Sequence, residues 1–305
     1  MATPLKFLIA APGYNPRSGG VMALHLLCDA LNRLGHEASI VLFGGTGPCF
    51  YWAYSENPGF YGANLMHYSI KGEDANRAVQ NFVADGIVIY PDLIPDNPLN
   101  AKRVVRYLLY KHHIYKAQHI GEFILSFSKS FHDSPDAYLF NTLNDPEFHA
   151  RGAKHWSQRT LDLTYIGKAA NSGIGHRLPD TVLVKRDWPE DKNQLGELLR
   201  ACRFFYSWDA VSQTNVDAVL CGAIPVLIGK SADDSMMLDR NEVGAFPNLQ
   251  LTDTNNKLSL VGDFAQADAC TETMRLTIAD LGASWHQRVQ AFVDQIIQFY
   301  ALEKP

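Results

Sequence analysis

No two cysteines stand at CxxC spacing: Cys28, Cys49, Cys202, Cys221 and Cys270 are scattered along 305 residues, three of them in apolar helical or strand contexts. That argues against a disulfide frame or a thiolate zinc site and suits reduced, buried thiols in a cytoplasmic protein. Long apolar runs are missing near the start, where Lys6 to Ala11 is cut off by Pro12-Gly13. A signal peptide or a spanning helix needs more, so a cytoplasmic protein is expected, with peripheral contact at the inner face of the membrane left open. There is no basic excess either: 27 Lys and Arg against 32 Asp and Glu give a formal charge of −5, which argues against nucleic acid as a general partner.

The first strand-to-helix turn lacks GxGxxG spacing, and no acidic residue caps the second strand, so a nicotinamide oxidoreductase is disfavoured. No DxD triplet closes a strand, and the histidines show no metal-ligand spacing, so neither metal nor cofactor is expected. Asp233-Asp234 reads as a helix start, and His25, on the apolar side of the first helix, as a core histidine.

What is present is an ordinary soluble composition, 47% hydrophobic and 19% charged, in a chain longer than one hydrophobic core usually serves. Lys6 to Ala11 is a buried strand, GYNPRSGG a turn, VMALHLLCDALNRLGH a helix closed by Gly35, and EASIVLF a second strand. This βαβ opening predicts an open α/β sheet, and Gly19 and Gly20 let backbone approach a ligand at the head of its first helix. Residues 44–67 form a long loop rich in aromatics and Asn, a composition that suits a sugar ring. Asp74 to Asp85 is a helix and GIVIYPDLI a strand whose carboxyl end leads into a loop carrying Asn97. AKRVVRYLLYKHH is expected to be an amphipathic helix with Lys111, His112 and His113 at its basic end, followed by strands in GEFILSFSKSF and DAYLF.

A polar, irregular stretch places a domain boundary near Asp145, after which the α/β rhythm resumes. Its focus is Arg200 to Ile228: a buried strand, a polar turn, a helix opening near Ser212, a stop at Gly222 and a second buried strand. Asp209 and Asp217 bracket that turn, and Ser212, Gln213, Thr214 and Asn215 between them are able to hydrogen-bond an anion or a polyol. A helix start presents unpaired N–H groups and positive dipole, which favours phosphate. Lys168, Lys185 and Arg186 end predicted strands upstream of it. The long helix ending the chain is placed to cross back onto the first domain.

Two α/β halves of this kind resemble GT-B glycosyltransferases, and most strongly the glycosyltransferase 4-like enzymes of bacterial capsule and O-antigen synthesis. The resemblance rests on IVIYPDLIPDNPLNAKRVVRYLL (Ile87 to Leu109), GEFILSFSKSF, TYIGK (Thr164 to Lys168) and the block from Val184 to Ile228. It implies two Rossmann-like domains facing a cleft, here 1–145 for the acceptor and 146–282 for the sugar donor, with 283–305 packing back on the first. DAVSQTNVD sets Asp209 and Asp217 at the spacing of the Glu-x7-Glu pair of retaining members, one carboxylate near the sugar and the other on the ribose diol. In this resemblance Asp209, Lys185 and Arg186 are catalytic; Gly19, Gly20, Lys168, Ser212, Gln213, Thr214, Asn215 and Asp217 bind a nucleotide sugar. The cations neutralise the leaving diphosphate without a metal. Asn97, His112, His113 and Glu122 are the acceptor-side candidates, the last three also nominees for the base of an inverting enzyme, and the acceptor is a glycan or lipid-linked glycan. The alternative is a non-catalytic module of the same fold that binds a sugar nucleotide or glycan within a polysaccharide assembly complex.

Overall fold

The computed structural model describes residues 4–15, 18–42, 73–110, 121–141, 147–173, 175–210, 212–229, 242–254 and 257–302. The loop read at 44–67, the basic end Lys111, His112 and His113, and Asp233-Asp234 lie outside them. The chain divides into two compact units, Met1–Asn141 with Ala283–Pro305, and Thr142–Gly282.

Unit 1 contains β1 (Lys6–Ala11), α1 (Gly19–Arg33), β2 (Glu37–Leu42), α2 (Glu73–Asp85), β3 (Ile87–Pro91), β4 (Val104–Leu108), β5 (Phe123–Ser126) and β6 (Ala137–Tyr138). The strands pair in parallel in the order β2-β1-β3-β4-β5-β6. β1 lies inside that sheet, so both its faces are apolar. Phe7, Ile9 and Ala11 enter one cluster with Leu24, Leu27 and Leu31 of α1, and Leu8 and Ala10 enter another with Val79, Phe82 and Val83 of α2. His25 is a core residue; burial lowers its pKa, and its Nε2 is 3.1 Å from the Pro12 carbonyl oxygen.

The segment read as an amphipathic helix is β4. Its two adjacent β-branched residues favour a strand, and all five of its residues are buried. Arg106, whose charge created the helical pattern, is fully buried: Nη2 lies 2.9 Å from Glu122 Oε1 and Nε 3.2 Å from Oε2. The same guanidinium donates to the carbonyls of Ile94 and Asp96 and stands 5.1 Å from the Tyr90 ring centroid. The buried charge is therefore tolerated by pairing with Glu122 and by donating to two backbone carbonyls.

Unit 2 contains β7 (Leu161–Tyr165), β8 (Val182–Val184), α3 (Lys192–Ala201), β9 (Cys202–Ser207), α4 (Gln213–Leu220), β10 (Ile224–Leu227), β11 (Gln250–Thr254), β12 (Lys257–Val261) and α5 (Phe264–Ala283). Four strands run parallel in the order β10-β9-β7-β8. Leu199 of α3 and Ala218 of α4 pack with Leu163 and Phe205 on one face. The antiparallel hairpin β11-β12, absent from the sequence reading, supplies Leu251 and Leu260 to the other face beside Phe204, Tyr206 and Val226. α6 (Trp285–Phe299) then returns to unit 1, where Val289, Phe292, Val293 and Ile296 join the cluster of α1. Phe292 meets Phe123 edge-on at 5.8 Å, and the Tyr300 hydroxyl donates to the Val104 carbonyl at 2.6 Å.

Two outcomes follow from the buried polar groups of unit 1. Arg106→Ala leaves the Glu122 carboxylate buried without that partner and should lower stability by about 3–5 kcal/mol in urea unfolding; the paired change Arg106→Met with Glu122→Leu should recover most of the loss. Burial pushes the Tyr90 phenol up to about 12, from the usual value near 10 in an unfolded chain. The native state thus holds the proton that the unfolded chain releases first. This stabilisation is complete below pH ~10 and fades as pH rises towards the native value, so the urea midpoint should fall more steeply over that alkaline window in the wild type than in Tyr90→Phe.

Candidate active site

In unit 2 the winding reverses between β7 and β9: β8 lies outside β7, while β9 and β10 lie on its other side. In open α/β sheets the carboxyl ends of strands at such a reversal form a ligand crevice. Here these ends are Tyr165-Ile166-Gly167 and Ser207-Trp208-Asp209, tied by a 2.9 Å bond from Trp208 N to Tyr165 O. The Ser207 hydroxyl donates to the Asp209 carbonyl at 3.0 Å and tightens the turn that follows β9.

Gly167 fixes how closely the two ends approach. Its φ is +56°, and a Cβ built there would lie 2.6 Å from Asp209 Oδ2 and 2.8 Å from the Tyr165 ring. The Asp209 side chain thus lies directly against the backbone at the end of β7, and only 8% of the residue is exposed. Lys168 follows in a 3₁₀ turn, Gly167–Ser172.

The helix start expected near Ser212 is there. Ser212 is the N-cap of α4; its hydroxyl accepts from Thr214 N at 3.3 Å and is 3.1 Å from the Tyr165 hydroxyl. Burial raises the Tyr165 pKa; hydrogen bonds with Ser212 and Thr214 lower it, the Asp209 charge raises it, and the Arg186 charge lowers it. Ser212, Thr214 and Asp209 are thus grouped at one phenol, on which the charge of Arg186 also acts. Sequence reading missed Tyr165 and Gly167 as site residues, although both stand in the TYIGK run at a strand end.

Asn215 is 1% exposed, and its Nδ2 donates to the Asp209 and Ala210 carbonyls at 2.8 and 3.1 Å, so its amide staples α4 to the preceding turn. Its Oδ1 has no hydrogen-bond partner among the described residues. Gln213 Nε2 donates to Asp217 Oδ1 at 3.1 Å, one helical turn along, and Asp217 is buried. Burial, and next the Asp217 charge, push the Cys221 thiol up to about 12, which keeps it protonated and inert. Lys185 and Arg186 are exposed in a turn immediately after β8.

The remaining candidates belong to unit 1. Gly19 and Gly20 open α1, and a Cβ at Gly20 would make ordinary 3.6 Å contacts with Leu109, so no steric demand explains that glycine. Asn97 clamps its own loop: Oδ1 accepts from Ala101 N and the Tyr90 hydroxyl, and Nδ2 donates to the Ala101 carbonyl at 2.8 Å. Glu122 has both carboxylate oxygens on Arg106. These two side chains act in holding the sheet and its β3–β4 loop. Among the described residues no three His, Cys, Asp or Glu side chains cluster in a way that could hold a metal ion. None of the described helices is long and apolar enough to cross a membrane.

Gly167→Ala adds a Cβ to a left-handed backbone position and forces the Asp209 side chain away. It should lower the stability of unit 2 by about 1–3 kcal/mol in urea unfolding, and more than Ala does at Gly20, where the helical backbone accepts it.

No family model and no curated protein matches the chain. Solved structures do. A glycosyltransferase from Rickettsia africae is 12% identical over 98% of this chain and 99% of its own, with a TM-score of 0.52. T4 phage BGT, solved in complex with its UDP-glucose substrate, is 9% identical over 96% and 99%, with a TM-score of 0.50. At such identities the likeness is one of architecture, and the architecture is plain: two Rossmann-like parallel α/β units with a final helix returned to the first, the fold of GT-B glycosyltransferases.

Proposed function

We propose that the chain is a glycosyltransferase that moves a sugar from a nucleotide-sugar donor to a glycan or lipid-linked glycan in surface polysaccharide synthesis. The observation that carries this reading is the convergence at one strand reversal of a buried carboxylate, Asp209, a capped helix start at Ser212 and the cationic turn of Lys185 and Arg186. It gains support from a fold shared with a protein solved with UDP-glucose. Unit 2 takes the donor and unit 1 the acceptor. The work is done in the cytoplasm, at the inner face of the membrane for a lipid-linked acceptor.

The chemistry follows from charge. Glycosyl transfer breaks the bond between the anomeric carbon and the diphosphate oxygen, and negative charge develops on the departing phosphate. Lys185, Arg186 and Lys168, with the N–H groups at the head of α4, stabilise that charge without a metal. Asp209 faces the donor sugar and Asp217 accepts from the ribose diol, with Gln213 holding its carboxylate in place. Asp-x7-Asp spacing favours retention, the leaving phosphate helping to deprotonate the acceptor hydroxyl on the same face. Glu122, engaged with Arg106, makes a poor base for the inverting route.

A panel of nucleotide sugars, assayed with and without EDTA and followed by NMR of the product anomer, tests the reading. Transfer with retention that persists in EDTA is expected. Tight nucleotide binding without turnover would identify a non-catalytic module instead. In calorimetry Lys185→Ala and Asp217→Ala should each weaken nucleoside diphosphate binding by about tenfold or more, the effect of one charge-assisted hydrogen bond. Unchanged affinity in both removes the site.

A further inference from the structure

Lys185, Arg186, Asp187 and Trp188 form a tight turn closed by two backbone hydrogen bonds, Lys185 N to Trp188 O at 3.0 Å and Trp188 N to Lys185 O at 3.3 Å. Both ends are anchored. Val184 pairs with Tyr165 of β7, Pro189 beyond the turn is buried, and Asp191 caps α3 by accepting from Asn193 N. The Trp188 indole is therefore carried on a fixed backbone, yet the residue is 45% exposed. The other exposed large hydrophobics among the described residues of unit 2 are the aliphatic Val261 and Leu276.

Position narrows the meaning of this exposed ring. The turn leaves β8 at the carboxyl end of the sheet, the strand next to β7, and it carries Lys185 and Arg186 with one opposing charge, Asp187. Val184, which ends β8, pairs with Tyr165, so Arg186 two residues on stands beside the carboxyl end of β7. A fixed indole face in water gains by being covered with a flat apolar surface, and a neighbouring cation pair selects an anion. A bare phosphate would use the cations and leave the indole wet. An uncharged sugar would cover the indole and leave the cations idle. A nucleotide uses both, with a planar base to stack and phosphates to neutralise.

We infer that Trp188 is the stacking platform for the base of the nucleotide, with Lys185 and Arg186 in the same turn directed to its phosphates. This rests on the nucleotide-sugar reading above and adds to it the residue that holds the base. Because every base has a π-face, the platform supplies affinity for nucleotides in general and leaves the choice among bases to other groups.

Calorimetry on the full chain with UDP, GDP, ADP and CMP, and with pyrophosphate as a base-free probe, tests it. Trp188→Ala should weaken the tightest of these nucleotides about tenfold and leave pyrophosphate affinity unchanged, while Trp188→Phe keeps most of the nucleotide affinity. Nucleotide quenching of tryptophan fluorescence should diminish in Trp188→Phe. Equal nucleotide affinity in wild type and Trp188→Ala overturns the inference and leaves the transferase reading standing. Equal weakening of nucleotide and pyrophosphate also overturns it, since the loss then lies with the phosphates. If none of the four nucleotides binds the wild type, the inference and the transferase reading fall together.

Discussion

The constraint on which the rest depends is the burial of parallel strands on both faces. Neither face can be left to water, so consecutive crossovers must supply cover to each in turn. In unit 1, α1 covers the face of Phe7 and Ile9 while α2 covers that of Leu8 and Ala10. In unit 2, Leu178 on the β7–β8 connection packs on one face and α3 on the other. Each sheet therefore starts one strand in from an edge and winds outward in two directions. The strand ends at the starting point are bridged by no connection of their own, and there the backbone is open to a ligand. The candidate site in unit 2 is a by-product of how the sheet is covered.

Polar side chains at the strand ends have different occupations in the two units. In unit 1 two of the candidates serve the fold: Asn97 ties a loop to itself, and Glu122 neutralises a guanidinium in the sheet. In unit 2, Ser212 and Asn215 are spent on shaping α4 and its preceding turn, and that work leaves Asp209 fixed against Gly167. Residue type alone does not separate these duties. A short polar side chain near a turn is as useful to the backbone as to a ligand.

Most of the sheet strands and helices were legible in the sequence because each is a local statement: an unbroken apolar run, a helical period, a glycine stop. β4 was not, because Arg106 interrupts its apolar run, and its partner Glu122 lies 16 residues on, just before β5. The β11-β12 pair has no such local signal, because its apolar residues are few and interrupted by Thr, Asp, Lys and Ser. At the site, Asp209 and the cap at Ser212 were readable from the turn between β9 and α4. Tyr165 and Gly167 were not, since what makes them matter is contact across two strands about forty residues apart, and no local pattern records it.

The return of α6 to unit 1 bears on how the chain is made. Phe123, Val105 and Tyr107 share their face of the sheet with Phe292, Val293 and Ile296, residues synthesised only after the whole of unit 2. During translation unit 2 is contiguous and has all of its own sequence before that helix emerges, whereas unit 1 still lacks part of its core. Unit 1 thus closes after unit 2. A chain interrupted before Trp285 would carry an apolar sheet face in need of a chaperone, and the damage would fall on unit 1 rather than on unit 2, next to which the break lies.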